Sequence, residues 1–457
     1  MTRLRLAFYG DDFTGSTDVM EALARAGYRT VLFLGPPSPE QLARYPALDA
    51  FGIAGGSRTL SPEEMERELP PAFAALKASG APIAHYKICS TFDSSPALGS
   101  IGRAIEIGRR VFGAGPTPLA VGVPVLGRYV AFGTLFARSG LDSEPFRLDR
   151  HPTMSRHPVT PMHEADVRLI LAGQTTLPVQ LVHTVALDAA IDMPRSETTA
   201  LLPDNHDGIV LFDTVREAHL GLIGGELERL ASRAAPCFVV GSSAVEYALV
   251  SRWRKEPRAP APTASVAAAA AMTPPVAVVS GSCSPVTDRQ IARALAAGFH
   301  EIPLDPGTLI KDGGAPAASI ASATERLAGG KSVILHTSRG PADQRVLDSL
   351  TAGDRARLGE ALGSLLGRLL AAGARRAIVC GGDTSMAAAR ALGIEALEFA
   401  APIAPGAPLC RVHAPGRIAH GCFITFKGGQ NGGDHFLIEA RTVIAQAEAA
   451  MAEAART

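Results

Sequence analysis

The sequence lacks most of the short signatures that would settle its chemistry at a glance. Its six cysteines, Cys89, Cys237, Cys283, Cys380, Cys410 and Cys422, form no CxxC pair. That argues against a zinc site and against a disulfide framework, and it suits reduced thiols. Charge of one sign is not in excess: lysine plus arginine and aspartate plus glutamate number 44 each. Nothing in that balance addresses nucleic acid or an anionic membrane, so an anionic ligand needs a local cationic site. Long apolar runs are missing too. The alanine-rich stretch 266–272 falls far short of the roughly 18 residues of a membrane span. The first apolar run ends at Gly10-Asp11-Asp12, too early for a signal peptide, and a cytoplasmic location is expected. There is no GxxxxGK[ST] loop and no GxGxxG after the first strand. Charged residues are sparse at 19% against 47% hydrophobic, which excludes a disordered chain.

What is present is a rhythm. At roughly 100–200 residues per domain, 457 residues suggest two or three domains. An apolar run at 4–9 leads to a helical pattern at 16–26, closed by Gly27, and then to a strand at 30–34. This is the spacing of a βαβ unit. Further strands are expected at 50–54, 83–88, 119–123, 179–182, 208–212 and 237–240, with helices such as 63–78 and 218–234 between them. Residues 257–275, PRAPAPTASVAAAAAMTPP, carry no periodicity and read as a linker. A second series follows: strands at 276–280, 301–304, 332–336 and 376–380, a late β region at 418–426, and an amphipathic helix at 435–454. The expected fold is α/β: two α/β domains, 1–256 and 276–457, with mainly parallel sheets around an inter-domain cleft. The Gly/Pro/His-rich stretch 123–163 is too long for an ordinary connection and reads as an insertion over a site or an irregular cap.

Six segments put polar residues where a strand meets a helix, the place where open α/β sheets bind ligands. In YGDDFTGSTD, 9–18, Asp11 and Asp12 end a strand, and the next helix offers free N–H groups. Either aspartate could bind polyol hydroxyls or take a proton from an attacking hydroxyl. The plainer alternative is that Asp12 or Ser16 caps the helix. In HYKICSTFDSS, 85–95, Lys87 and Ser90 suit a carboxylate or phosphate, against a simple Ser/Thr-rich turn. Arg58 of GGSR, 55–58, is a candidate fork for a carboxylate. In SGSCSPVTDRQ, 280–290, small residues let the backbone approach a ligand. Phosphates would bind there through N–H groups and the hydroxyls of Ser282 and Ser284. In IVCGGDTSMAAARALG, 378–393, Gly381, Gly382, Asp383 and Thr384 form a cradle at a helix entrance. The alternative is a glycine turn capped by Asp383 or Thr384. A free Asp383 would repel phosphate and more naturally hold Mg²⁺. In TFKGGQNGGDHF, 425–436, four glycines, Gly428 and Gly429 among them, interleave with Lys427, Gln430, Asn431 and Asp434. Such glycine density implies close approach to a ligand, and the loop reads as a second nucleotide contact. His151, His157 and His163 are six residues apart, which matches no metal-ligand spacing.

In this order, DDFTGSTD, HPVTPMHEAD (157–166), GSCSPVT, GGDTS and KGGQNGG make nearly the whole chain resemble the four-carbon acid sugar kinase family. The resemblance implies a substrate-binding domain followed by a nucleotide-binding domain. It also implies ATP and Mg²⁺, and transfer of the γ-phosphoryl group to a hydroxyl of a small sugar acid. By position, Asp11, Asp12, Arg58, Lys87, Cys89 and Ser90 would hold the acid, with Asp12 or Asp11 as the catalytic group. Ser282, Ser284, Gly381, Gly382, Asp383, Thr384, Gly428 and Gly429 would hold ATP. Cys89 stands where the family's K-x-D-S pattern has an acid, and the last glycine loop departs from K-S-G-N-F-G. A five-carbon or branched keto acid such as 3-oxo-isoapionate therefore competes with threonate, erythronate or 3-oxo-tetronate. The sugar acid and ATP are the expected partners, and a homodimer is the default assembly. Two rival readings fit the sequence less well. An NAD-dependent sugar-acid dehydrogenase is disfavoured by acidic residues where a pyrophosphate would lie. A non-catalytic sugar-acid binding protein has no need of the glycine loops at Gly381 and Gly428.

Overall fold

The structure is a computed structural model. It describes residues 4–139, 143–157, 159–193, 201, 206–231, 236–257, 259–262, 273–340, 343 and 350–454. Most of the linker expected at 257–275, and the end of the helix expected at 218–234, lie outside these residues. The chain divides into two compact units, Met1–Thr30 with Gly35–Pro262, and Val31–Leu34 with Thr263–Thr457.

The strands are β1 Leu6–Gly10, β2 Thr30–Phe33, β3 Ala50–Ala54, β4 Ile83–Lys87, β5 Pro116–Ala120, β6 Arg128–Ala131, β7 Thr134–Arg138, β8 Pro145–Arg147, β9 Val179–Val182, β10 Gly208–Phe212 and β11 Cys237–Gly241. They continue with β12 Ala277–Ser280, β13 His300–Pro303, β14 Val333–His336, β15 Arg376–Cys380, β16 Ala396–Ala404, β17 Ala407–His413 and β18 Phe423–Lys427. In the first unit β3, β1, β4, β11, β5, β10 and β9 lie side by side in that order, all parallel. Helices cover parallel sheets on both faces, so their strands carry unbroken apolar runs; β1, β3, β4, β10 and β11 are buried at every position. An aromatic cluster packs under the sheet, with Phe112 stacked on Phe238 at 5.0 Å and Phe73 edge-on to Tyr86 at 5.7 Å. Trp253 belongs to this unit and packs against Tyr28, with Arg5 over its ring.

Part of the insertion has regular structure. β6, β7 and β8 form a small antiparallel sheet. Its hairpin turn, Phe132–Gly133, has positive φ at both residues, as a type I′ two-residue hairpin requires. The buried Asp213, just past β10, accepts from Phe132 N at 2.6 Å, Gly133 N at 2.9 Å and Thr184 N at 2.8 Å.

In the second unit β13, β14, β12, β15 and β18 are parallel, and β17, β16 and β2 extend that sheet antiparallel. β2 comes from the N-terminal part of the chain and pairs with β16 through Ala396↔Phe33 and Glu398↔Val31. The core beneath includes Val278, Ile291, Ile334, Ile378, Leu409, Phe436 and Ile444. Among the described residues no helix is long and apolar enough to cross a membrane.

Candidate active site

At the carboxyl edge of the first unit, β1 ends in Asp11 and Asp12, and the helix Phe13–Arg25 begins at once. Asp12 is its N-cap, accepting from Gly15 N at 3.0 Å and from the Thr14 hydroxyl at 2.7 Å. The capping alternative is therefore correct for Asp12, but it is not the whole role. Arg58, on the turn after β3, donates from Nε to Asp11 at 3.1 Å and from Nη2 to Asp11 at 2.7 Å and Asp12 at 2.8 Å. Burial pushes the Asp11 carboxyl above the ordinary range, although Arg58 pulls the other way. Burial also acts on Asp12, but Arg58, the Thr14 hydroxyl, Lys87 and the Gly15 N–H together hold it below that range. Two adjacent carboxylates thus acquire different protonation preferences, a recurrent mark of functional sites.

Lys87 ends β4 beside them. It is buried, donates to Ile88 O at 3.0 Å and lies 4.0 Å from Asp18. Burial raises the Asp18 carboxyl, opposed by Lys87 and by a hydrogen bond from Ser243. Cys89 shares a 2.9 Å contact with the Thr91 hydroxyl, which donates to Asp93 at 2.6 Å. Burial, then the nearby Asp93, pushes the Cys89 thiol up to about 11, so it stays neutral. Ser90 is half-buried on the same loop. Behind the site His85 Nδ1 meets Glu246 at 2.6 Å with both side chains fully buried.

The second unit gathers its own loops at the carboxyl edge of β12, β15 and β18. Ser284 caps the helix Pro285–Ala296 through Val286 N. Ser282 donates to Thr287 at 3.1 Å and accepts from Ser284 N. The Ser282 hydroxyl thus donates within the loop, while that of Ser284 accepts from Val286 N and keeps its own proton to donate. The helix Gly382–Ala391 has Gly381 as N-cap, with φ +115° and no side-chain cap. Neither Asp383 nor Thr384 caps it: Asp383 is exposed on the first turn and Thr384 is buried. A Cβ on Gly281 would sit 2.4 Å from Thr384 Oγ1, one on Gly381 3.1 Å from that oxygen, and one on Gly429 2.9 Å from Ser282 Oγ. These contacts bring Gly281, Ser282, Ser284, Gly381, Thr384 and Gly429 to one spot, with Gly428 and Gly382 adjoining in the chain. Uncapped amides at a helix N-terminus, bared by glycines, favour an anion.

Three residues that sequence reasoning left out of the site hold this cradle shut. Lys427, fully buried at the end of β18, donates to Thr287 Oγ1 at 3.2 Å, and Thr287 donates to Gly429 O at 3.0 Å. Gln290 donates to the carbonyls of Asn431, Gly432 and Gly433. Thr287 and Gln290 are three apart, the spacing of one helix face, which was the available signal. Burial lowers the Lys427 pKa, with Cys380 opposing. Asp434, from the same glycine-rich loop, is paired with Arg289 at 3.0 Å. Among the described residues no group of three or more His, Cys, Asp or Glu could hold a metal. A Mg²⁺ carried by a nucleotide needs only one or two carboxylates besides the phosphates, and the exposed Asp383 fits that demand.

Comparison with known proteins agrees with this division. A sugar-binding N-terminal domain profile matches residues 6–249, and a nucleotide-binding C-terminal domain profile matches 277–437. A 3-oxo-isoapionate kinase of Paraburkholderia graminis is 46% identical over 444 residues, 94% of this chain and 92% of its own. The chain belongs to the four-carbon acid sugar kinase family. A second family member, a 3-oxo-tetronate kinase of Methylobacterium radiotolerans, is 30% identical over 97% of this chain and 100% of its own. These relatives are kinases, and they favour neither the dehydrogenase nor the binding-protein reading. Among solved structures, a Salmonella typhimurium protein described as a putative tRNA synthase superposes with TM-score 0.73 at 24% identity, over 95% of this chain and 98% of its own. A Haemophilus influenzae protein does so with TM-score 0.67 at 22% identity, over 95% and 99%. At those identities they share the family fold and nothing finer.

Proposed function

We propose that this kinase transfers the γ-phosphoryl group of ATP to a hydroxyl of a four- or five-carbon sugar acid, with 3-oxo-isoapionate the first candidate because the 46%-identical relative bears that name. The observation that carries the reading is the convergence of Gly281, Gly381 and Gly429 on an uncapped helix N-terminus. In the reaction the substrate hydroxyl oxygen bonds to the γ-phosphorus while the bond from that phosphorus to the ADP oxygen breaks. Such transfers need positioning and charge neutralisation more than covalent help. Asp12 would orient the hydroxyl and receive its proton, with Arg58 fixing the carboxylate's rotamer. Amides of the 281–284 and 381–384 segments would hold the phosphates, with Gly428 and Gly429 closing over them. Asp383 would hold a nucleotide-borne Mg²⁺, which when bound would supply neutralising charge to the phosphates.

The test is ADP release with a panel of C4 and C5 sugar acids that includes 3-oxo-isoapionate, threonate and erythronate. In Gly281→Ala the new methyl must displace Thr384, a distortion of about 1–3 kcal/mol. The KM for ATP should rise about tenfold at 1.4 kcal/mol, with the KM for the acid unchanged. No ADP release with any acid, or an unaltered ATP KM in the variant, counts against the assignment.

A further inference from the structure

The sugar acid's carboxylate needs a cation, and the two expected ones are already engaged. Arg58 holds Asp11 and Asp12, and the Lys87 ammonium faces Ile88 O and Asp18. A third cation stands nearby. Arg128 opens β6 and follows β5 over the same carboxyl edge on which β4 ends, two strands away in the sheet. Its Nη1 donates to the carbonyls of Leu126 at 3.2 Å, Gly127 at 3.2 Å and Arg138 at 3.0 Å. Its Nε is sealed from solvent without a partner. It lies within electrostatic reach of Cys89 and Asp93, and its own burial disfavours its charge. Asp93 takes the Thr91 hydroxyl, and among the described residues no carboxylate pairs with Arg128.

A half-buried guanidinium with no carboxylate in direct contact among the described residues is costly to keep charged. Here it is also held in one orientation by three carbonyls. The hairpin that carries it is fixed in turn: Val130 bridges Thr214, and Asp213 grips the turn at Phe132 and Gly133. Such a group is pre-organised for an arriving carboxylate, which regains the desolvation loss through charge-assisted hydrogen bonds. The geometry points to Arg128, from the insertion, as the residue that recognises the carboxylate of the sugar acid, leaving Arg58 to position Asp11 and Asp12. This rests on the sugar-acid kinase reading and deepens it. The insertion thereby supplies part of the site and sets the choice of acids over neutral sugars.

The test compares the full chain with Arg128→Gln and Arg128→Lys. ADP release is measured with 3-oxo-isoapionate, D-threonate and D-erythronate, and with erythrulose, a neutral four-carbon ketose. A hydrogen bond to a charged group contributes about 1.5–3 kcal/mol, so Arg128→Gln should raise the acid KM roughly 10- to 150-fold. The ATP KM and ADP affinity stay unchanged, and the preference for acid over erythrulose falls by the same factor. Arg128→Lys keeps the charge without the fork and recovers part of the loss. An acid KM within about twofold of wild type, or equal losses with acid and erythrulose, overturns the inference. Calorimetric titration of D-threonate into wild type and Arg128→Lys reads the same contact without turnover: weaker binding in the variant supports it, equal affinity refutes it. A wild type that releases no ADP with any acid refutes the kinase reading instead, so the two failures are distinguishable.

Discussion

Arg58 touches two neighbouring carboxylates with one guanidinium, and this sharing separates their roles. The Asp12 side chain is 23% exposed and that of Asp11 3%, so in the proposed reaction Asp12 is the one of the two that a substrate hydroxyl would reach. Asp12→Asn should lower kcat on the order of 10²-fold, while ADP affinity measured by calorimetry is unchanged. Asparagine also caps helices well, so the variant should fold. A kcat equal to wild type would remove Asp12 from the reaction. The positions of Asp11, Asp12 and Lys87 were legible in the sequence because each stands where a fully buried strand stops. Their partnership with Arg58 was not. Asp11 and Arg58 are 47 residues apart and meet only because β1 and β3 are parallel neighbours, with Gly10 opposite Ala54. Apolar runs announce parallel strands but say nothing of which strand lies beside which.

At the level of elements, prolines account for part of what sequence pattern missed. β5 begins at Pro116, three residues before the expected start. Prolines at 116 and 118 are tolerated because β11 pairs with β5 only from Leu119 onward. The hairpin of β16 and β17 is not announced by the sequence pattern. Pro402, Pro405 and Pro408 suggest a loop, but Pro402 falls where the pairing register shifts, the kind of bulge that accommodates proline, and Gly406 turns the chain with φ +74°. The 123–163 insertion shows the same limit, since its hairpin turn is gripped by a carboxylate about 80 residues further along the chain. Asp213→Ala leaves three backbone amides without their acceptor, at a cost of about 1–3 kcal/mol. Chemical denaturation should show that loss, with faster hydrogen exchange at Phe132 and Gly133. Asp213→Asn, which retains an acceptor oxygen, should lose less. Wild-type exchange rates at the turn in Asp213→Ala would show that the hairpin holds itself.

For the whole molecule, the two-domain α/β plan could be read from alternating runs, but the membership of β2 could not. Its place between the helix Phe13–Arg25 and β3 suggests a βαβ unit with β1, yet it completes the sheet of the other unit. A fragment of residues 276–457 would therefore expose the edge of β16, a template for misassociation. Joined to a peptide of residues 28–36, that fragment should melt at least ~4 °C higher; equal melting points would mean that β2 adds nothing. The arrangement also bears on how the chain matures at the ribosome. Thr30–Phe33 emerges early, while Ala396–Ala404 is still untranslated. At ~5–20 residues per second, tens of seconds pass before the strand meets its mate, so this edge of the nucleotide-binding sheet is covered only late in synthesis.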